Sequence, residues 1–138
     1  MMRILLVDGQ DEVRRGLRMR LEVEPDVEVI GETGKIGEAI YLAQALAPDV
    51  IVADTGTRGD EKWILIERLR AVAPEAVLVA LALRSDNGMR ERAQEAGVQA
   101  FLEKNGGGGD LLTVIRQLVG KATANRGPNL ERNSDHSV

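Results

Sequence analysis

A short apolar run, Val50 to Ala53, lies between Pro48 and Gly56 and ends on a carboxylate, Asp54. The run is too short for a buried helix, and its continuous apolar character is typical of a strand buried on both faces of a parallel sheet. Open α/β sheets bind ligands in the crevice beyond the carboxyl ends of their strands. We therefore expect Asp54 to lie in such a crevice, as a metal ligand, a nucleophile or a helix cap.

Segments typical of strands and of helices alternate five times along the chain. The expected strands are Arg3–Val7, Val27–Glu32, Val50–Ala53, Val77–Leu83 and Val98–Leu102. The expected helices are Asp11–Val23, Ile36–Leu46, Asp60–Val72, Asn87–Ala96 and Asp110–Val119. This alternation predicts an α/β fold, a three-layer, doubly wound (βα)5 flavodoxin-like domain with a parallel sheet of strand order 2-1-3-4-5.

Within these elements, individual side chains have predicted places. Asp11 is expected to cap the first helix, and Gly97 is expected to end the fourth. Helical spacing predicts a set of inward-facing residues on the first and third helices: Val13, Leu17, Leu21, Ile64, Leu65, Leu69 and Val72. The arginines of the first helix are interpreted as a solvated face: Arg14, Arg15, Arg18 and Arg20.

The 138 residues are enough for one domain, which we place at residues 1–121. Residues 122–138 are polar and contain Gly127-Pro128, so a disordered tail or linker is predicted there. The sequence has no cysteine, which excludes disulfides, thiolate metal sites and cysteine nucleophiles. Because no long apolar segment or signal peptide is found, we expect a cytoplasmic protein with no membrane partner.

Composition also bears on the ligands of the chain. Aromatic residues make up only 2% of the sequence, and the net charge is -4 at pH 7. Nucleic-acid surfaces depend on basic side chains and often on aromatic stacking platforms. We therefore expect no direct nucleic-acid binding by this chain.

Three charged residues are predicted to meet at one edge of the sheet. Asp8 follows the first strand, Asp54 ends the third, and Lys104 follows the fifth. In the predicted strand order, the first and third strands are neighbours, so the two carboxylates should lie within a few ångströms, with the ammonium group reaching the same crevice. A pair of carboxylates suits Mg²⁺, which keeps several waters and takes one or two protein carboxylates.

Four stretches carry a resemblance to a known family: Arg3-Ile4-Leu5-Leu6-Val7-Asp8, Val13-Arg14-Arg15-Gly16-Leu17, Pro48-Asp49-Val50-Ile51-Val52-Ala53-Asp54, and Ala96-Gly97 with Phe101-Leu102-Glu103-Lys104. From about Arg3 to Val119, the chain resembles a response-regulator receiver domain of two-component signal transduction. It is most similar to receiver domains at the N-terminus of regulators with a helix-turn-helix output domain.

The resemblance implies a role for each residue that matches the family's motif. Asp54 would accept a phosphoryl group from a histidine kinase, and Lys104 would pair with the phosphoryl oxygens. Asp8, Asp54 and the backbone carbonyl of Gly56 would hold Mg²⁺. Phe101 fills the aromatic position that reports phosphorylation to the face of the fourth helix, fifth strand and fifth helix, through which a homodimer is also expected.

The match to the family's active site is incomplete. Gly9 stands where the family usually has a second acid after Asp8, so we expect weakened Mg²⁺ affinity. Ala82 stands at the position of the switch hydroxyl, and its methyl group cannot donate a hydrogen bond. Phe101 is interpreted more simply as a core residue than as a switch. Further departures from the pattern are Thr57-Arg58, Lys62, Asn105 and Gly106-Gly107-Gly108-Gly109.

Three functions are compatible with these residues. The first is a phosphoacceptor that catalyses at most its own Mg²⁺-dependent phosphorylation and dephosphorylation at Asp54. The second is a receiver that works without phosphorylation, as a protein-interaction or dimerisation module. The third is a flavin binder or small phosphatase of the same architecture. The flavin binder is disfavoured because the acids in the segment from Asp8 to Glu12 would repel a phosphate, and the phosphatase because Gln10 stands where a second acid would be needed.

Overall fold

The computed structural model describes residues 1–54, 61–84, 86–104 and 111–122. Its strands are β1 (Met2–Val7), β2 (Val27–Thr33), β3 (Val50–Asp54), β4 (Val77–Ala82) and β5 (Ala100–Glu103). Its helices are α1 (Asp11–Glu22), α2 (Ile36–Leu46), α3 (Glu61–Val72), α4 (Asn87–Ala96) and α5, of which residues 111–122 are described. None of the helices in these ranges is long and apolar enough to cross a membrane.

The strands form one sheet in the order β2-β1-β3-β4-β5, and every neighbouring pair is parallel. Leu21 of α1 and Ile115 of α5 belong to the hydrophobic cluster on one face of the sheet. Ala39 of α2, Leu69 of α3 and Ala93 of α4 belong to the cluster on the other face. The predicted three-layer fold and its strand order are therefore confirmed.

The apolar run of β3 explains why this strand lies at the centre. Val50 and Val52 belong to the cluster that includes α1 and α5, whereas Ile51 and Ala53 belong to the cluster that includes α2, α3 and α4. None of these four side chains is more than 1% exposed. Because successive residues of a strand point to opposite faces, a strand covered on both sides needs an unbroken apolar run.

Two residues predicted to face inward are exposed to solvent over almost half of their surface. Val13 is 40% exposed and Ile64 is 48% exposed. On α3, Leu65 and Leu69 are buried as predicted, but Trp63 and Ile66 are buried as well, so the buried face of the helix is rotated away from Ile64. On α1, Arg14 rather than Val13 reaches toward the sheet. It donates a hydrogen bond to the carbonyl of Asp8, the residue that follows β1.

The predicted cap of α1 is also wrong. Gln10 occupies the N-cap position and makes no side-chain capping hydrogen bond, whereas Asp11 is already the first residue of the helix. The turn is held instead by the Asp8 carboxylate, which accepts a hydrogen bond from the Gln10 amide at 2.9 Å. At the end of α4, Gly97 has a φ of 113°, which confirms the predicted glycine cap.

Several predicted boundaries change for local reasons. The Val98 amide donates to the Ala93 carbonyl at 3.2 Å, so Val98 belongs to the turn after α4, and β5 begins later. Leu83 lies beyond the end of β4 and is 65% exposed. Helix α5 continues past Val119 to residue 122, which was predicted to begin the tail. Residues 123–138 lie outside the described residues.

One half-buried arginine, Arg70, joins three segments at the end of the sheet opposite the predicted crevice. Arg70 donates hydrogen bonds to the carbonyls of Gly97 at 2.9 Å and Ala76 at 2.8 Å, and to the side-chain oxygen of Gln99 at 2.6 Å. The same Gln99 oxygen accepts the Leu78 amide at 2.8 Å. Arg70 therefore ties the end of α3 to the segments that lead into β4 and β5.

Replacing Arg70 with alanine is expected to lower the free energy of unfolding by about 2 kcal/mol, because the partly buried carbonyls of Gly97 and Ala76 lose their donor. Urea unfolding followed by circular dichroism measures the change. Arg68→Ala, at an exposed position of the same helix, is expected to stay within about 0.5 kcal/mol of the unchanged protein. Equal losses for the two variants would contradict a specific role for Arg70.

Candidate active site

The carboxyl ends of β1, β3 and β5 lie along one edge of the sheet and place three charged side chains together. Asp8 follows β1, Asp54 is the last residue of β3, and Lys104 follows β5. They lie in a cleft of about 320 Å³ lined by Val7, Asp8, Gly9, Gln10, Gly34, Ile36, Asp54, Leu65, Leu83 and Lys104. The predicted position of the crevice is confirmed.

The Lys104 ammonium group contacts both carboxylates. Its Nζ lies 2.8 Å from Oδ1 of Asp54 and 3.3 Å from Oδ2 of Asp8. The exposed fractions of the side chains are 11% for Lys104, 11% for Asp54 and 3% for Asp8. Because buried charges are costly unless paired, the three groups form one electrostatic unit. Their predicted convergence is confirmed.

Asp8 is held at every polar atom. Its amide donates to the Thr33 carbonyl at 2.9 Å, and its carbonyl accepts Nη1 of Arg14 at 2.6 Å. In the carboxylate, Oδ1 accepts the Gln10 amide and Oδ2 accepts the ammonium of Lys104. The carboxylate therefore has a defined orientation relative to the strand ends.

The environment of Asp8 favours its neutral form. Burial is the largest influence and raises the pKa of this carboxyl above its ordinary value, and the nearby charge of Asp54 raises it further. The hydrogen bond from the Gln10 amide and the charge of Lys104 act in the opposite direction but do not cancel the effect of burial. A cation beside Asp8 would relieve this unfavourable electrostatic environment.

Two arginines of α1 contradict the predicted solvated face. Arg14 lies 3.0 Å from a carboxylate oxygen of Glu32, and Arg18 lies 2.5 Å from the other. Glu32 is on β2, so these contacts join the helix to the sheet. The spacing of four residues between the arginines places them on one helix face, a signal that could have indicated a shared acidic partner. Arg15 and Arg20 are exposed as predicted.

Among the described residues that line the cleft, the acids are Asp8 and Asp54. Within the described ranges, no group of three or more acidic, histidine or cysteine side chains could hold a metal ion. Two carboxylates at one cleft nevertheless fit Mg²⁺, which completes its coordination with water. Gly9 contributes no side chain to the site. A Cβ at this position would fit, because its nearest neighbour, the Gly34 carbonyl oxygen, would be 3.8 Å away.

The two predicted switch positions lie on neighbouring strands. Ala82 ends β4 and is 2% exposed. Phe101 of β5 is 8% exposed and belongs to the hydrophobic cluster, as expected for a core residue. The guanidinium of Arg90 lies 5.8 Å from the centre of the Phe101 ring, so the aromatic side chain packs beneath α4.

Several predicted features lie outside the described residues. They include the Gly56 carbonyl, the Thr57-Arg58 pair, Asn105, and the glycines at positions 106–109. Lys62 is described, and its ammonium lies 5.3 Å from the centre of the Trp63 ring.

Asp8→Asn tests the electrostatics of the site through the pH dependence of stability. A raised pKa means that the folded protein holds the Asp8 proton more tightly than the unfolded chain does, so stability falls as pH rises from about 4 through the raised pKa. Urea unfolding is therefore expected to show that Asp8→Asn becomes progressively more stable relative to the unchanged protein between pH 4 and pH 7.

Asp26→Asn provides a control of opposite sign. Its hydrogen bonds with Arg116 lower the pKa of Asp26, so that carboxyl stabilises the fold above its ordinary pKa and loses this effect as pH falls. Asp26→Asn should therefore lose relative stability as pH rises through the acidic range. If Asp8→Asn follows the same direction, the assigned environment of Asp8 is wrong.

Comparison with known proteins places the site in a family context. The response regulator receiver domain family matches residues 4–116. The transcriptional regulatory protein LiaR of Bacillus subtilis (strain 168) is 32% identical over 116 residues, which cover 84% of this chain and 55% of LiaR. The DNA-binding transcriptional activator DevR/DosR of Mycobacterium tuberculosis is 30% identical over 119 residues, which cover 86% of this chain and 54% of that protein. The chain thus spans about half the length of these relatives.

Solved structures show the same fold. A two-component response regulator of the LuxR family from Aurantimonas sp. SI85-9A1 has a TM-score of 0.80 at 26% identity, covering 88% of this chain and 86% of that chain. A response regulator from Burkholderia pseudomallei, solved with a phosphorylated aspartic acid, a calcium ion and citrate, has a TM-score of 0.75 at 21% identity, covering 94% and 75%. Since the family match at residues 4–116 includes residues of all five strands and the strand order agrees, this chain belongs to the response regulator receiver domains of two-component signal transduction.

Proposed function

We propose that this receiver domain accepts a phosphoryl group on Asp54. The contact of the Lys104 ammonium with the Asp54 and Asp8 carboxylates carries the proposal, because it places a cation where negative charge would gather. One Asp54 oxygen attacks the phosphorus of the donor and forms an aspartyl phosphate as the bond to the donor's leaving group breaks. Lys104 then pairs with the phosphoryl oxygens.

Asp8 and Asp54 would hold Mg²⁺, together with the Gly56 carbonyl that the family resemblance implies. When bound, Mg²⁺ neutralises charge on the transferring phosphoryl group. Lys104 already compensates part of the negative charge of the two acids, and Gly9 adds no third carboxylate. We therefore infer that Mg²⁺ binding is weaker than in a site with an acid at that position.

The donor we propose is a histidine kinase, and no catalytic activity is proposed beyond phosphorylation and dephosphorylation at Asp54. The output surface would be the face formed by α4, β5 and α5, which could also form a homodimer. Because Ala82 cannot donate a hydrogen bond to a phosphoryl oxygen, communication with this face would depend on Lys104 and on the added charge of roughly -1.5 to -2.

Phosphoryl acceptance is tested by intact-mass spectrometry after incubation with a small acyl-phosphate donor, with and without Mg²⁺. A single base-labile phosphoryl adduct is expected with Mg²⁺ and is expected to vanish in Asp54→Asn. Asp49→Asn is the matched control: Asp49 precedes β3 at the opposite end and accepts the Arg3 amide at 2.9 Å, an interaction that asparagine can retain.

An adduct that persists in Asp54→Asn would assign the acceptor to another residue. Absence of an adduct at millimolar Mg²⁺ would reject phosphoryl acceptance and favour a receiver that acts through protein contacts alone.

Restoring an acid beside Asp8 is expected to strengthen Mg²⁺ binding. Gly9→Asp adds a carboxylate where the structure leaves room for a Cβ, and about a tenfold gain or more in Mg²⁺ affinity is expected. Isothermal titration calorimetry measures the affinity, and Gly9→Asn controls for side-chain volume without the charge. Equal affinities in the two variants would show that position 9 does not contribute to the cation site.

A further inference from the structure

Arg14 reaches from α1 into the backbone of the candidate active site. Its Nη1 donates to the carbonyl oxygen of Asp8 at 2.6 Å, and only 15% of its side chain is exposed. Its Nε lies 3.0 Å from Glu32, and its Nη2 lies 3.0 Å from Asp11. A single guanidinium group thus joins the end of β1 to β2 and to the first turn of α1.

The surroundings of this guanidinium leave it little freedom. Glu32 sits opposite Leu6 in the sheet register, so its carboxylate has a fixed place beside the end of β1. A Cβ on Gly34 would lie 3.0 Å from Nη1 of Arg14 and 3.1 Å from the Asp8 carbonyl oxygen. The absence of a Cβ at Gly34 permits this close packing. The packing in turn keeps the Arg14 guanidinium directed at the Asp8 carbonyl.

We propose that Arg14 is a positioning residue for Asp8, which rests on the function proposed above for the acceptor site. By holding the Asp8 carbonyl, Arg14 fixes the segment from Asp8 to Gln10 and hence the orientation of the Asp8 carboxylate. Arg14 itself does not touch the reacting atoms. With no carboxylate at Gly9, cation binding next to Asp54 depends on this single oriented acid.

If Arg14 had only a structural role, that role would depend on its ion pair with Glu32. Arg18, which also pairs with Glu32, provides a direct comparison. Arg18 also binds Glu32, at 2.5 Å, but among its hydrogen bonds in the structure none reaches Asp8. Arg14→Met and Arg18→Met therefore each remove one partner of Glu32, whereas only the former removes the donor to the Asp8 carbonyl. Arg14→Lys keeps a positive charge and provides a second variant if Arg14→Met does not fold.

Two measurements on the folded full chain decide the role of Arg14. The first is the Mg²⁺ affinity by calorimetry together with the initial rate of phosphorylation by the acyl-phosphate donor. Arg14→Met is expected to lower each by about 10- to 100-fold, with Arg14→Lys between it and the unchanged protein. Arg18→Met is expected to stay within about twofold, because this variant keeps the Arg14 hydrogen bond to the Asp8 carbonyl.

The second measurement is amide hydrogen exchange at Gln10, whose N–H donates to Oδ1 of Asp8. Exchange is expected to accelerate at this amide in Arg14→Met and to remain unchanged in Arg18→Met. Equal effects of the two methionine variants, or unchanged Gln10 exchange in Arg14→Met, would overturn the positioning role. If the unchanged protein accepts no phosphoryl group, the proposed function fails while the exchange comparison still decides whether Arg14 orients Asp8.

Discussion

The contact of Lys104 with Asp8 and Asp54 is the interaction around which the rest of the domain is arranged. Three charged side chains, each at most 11% exposed, lie at the ends of three different strands. Two neighbouring carboxylates would repel each other if left alone, and the shared ammonium group compensates for this. The trio keeps a net negative charge, which would favour the divalent cation proposed to bind there.

The sheet makes this contact possible because β1, β3 and β5 all end at the same edge. Apolar side chains cover both faces of the central strands, so polar groups are confined to the strand ends. The arrangement around Asp8 then depends on α1, which supplies Arg14, and on β2, which supplies Glu32. Packing of the helix on the sheet and geometry of the candidate site are therefore coupled.

The substitutions at Gly9 and Ala82 affect different parts of the proposed function. Gly9 would weaken the proposed cation binding, because it leaves Asp8 and Asp54 as the acids among the described residues of the cleft. Ala82 would affect the proposed communication between Asp54 and α4, because its methyl group donates no hydrogen bond. In the proposed function, phosphoryl chemistry and signal output would thus depend on different positions. The buried Phe101 packs beneath α4.

The order of strands and helices was predictable from the sequence, because apolar runs and helical spacing reflect burial directly and parallel connections have one hand. The meeting of Asp8, Asp54 and Lys104 followed from that order alone. Only the tertiary structure decided that Ile64 is exposed, that Gln10 rather than Asp11 precedes α1, and that Arg14 bonds the Asp8 carbonyl. These features depend on how each helix is rotated against the sheet and on where long side chains point. Residue spacing in the sequence does not determine either of these.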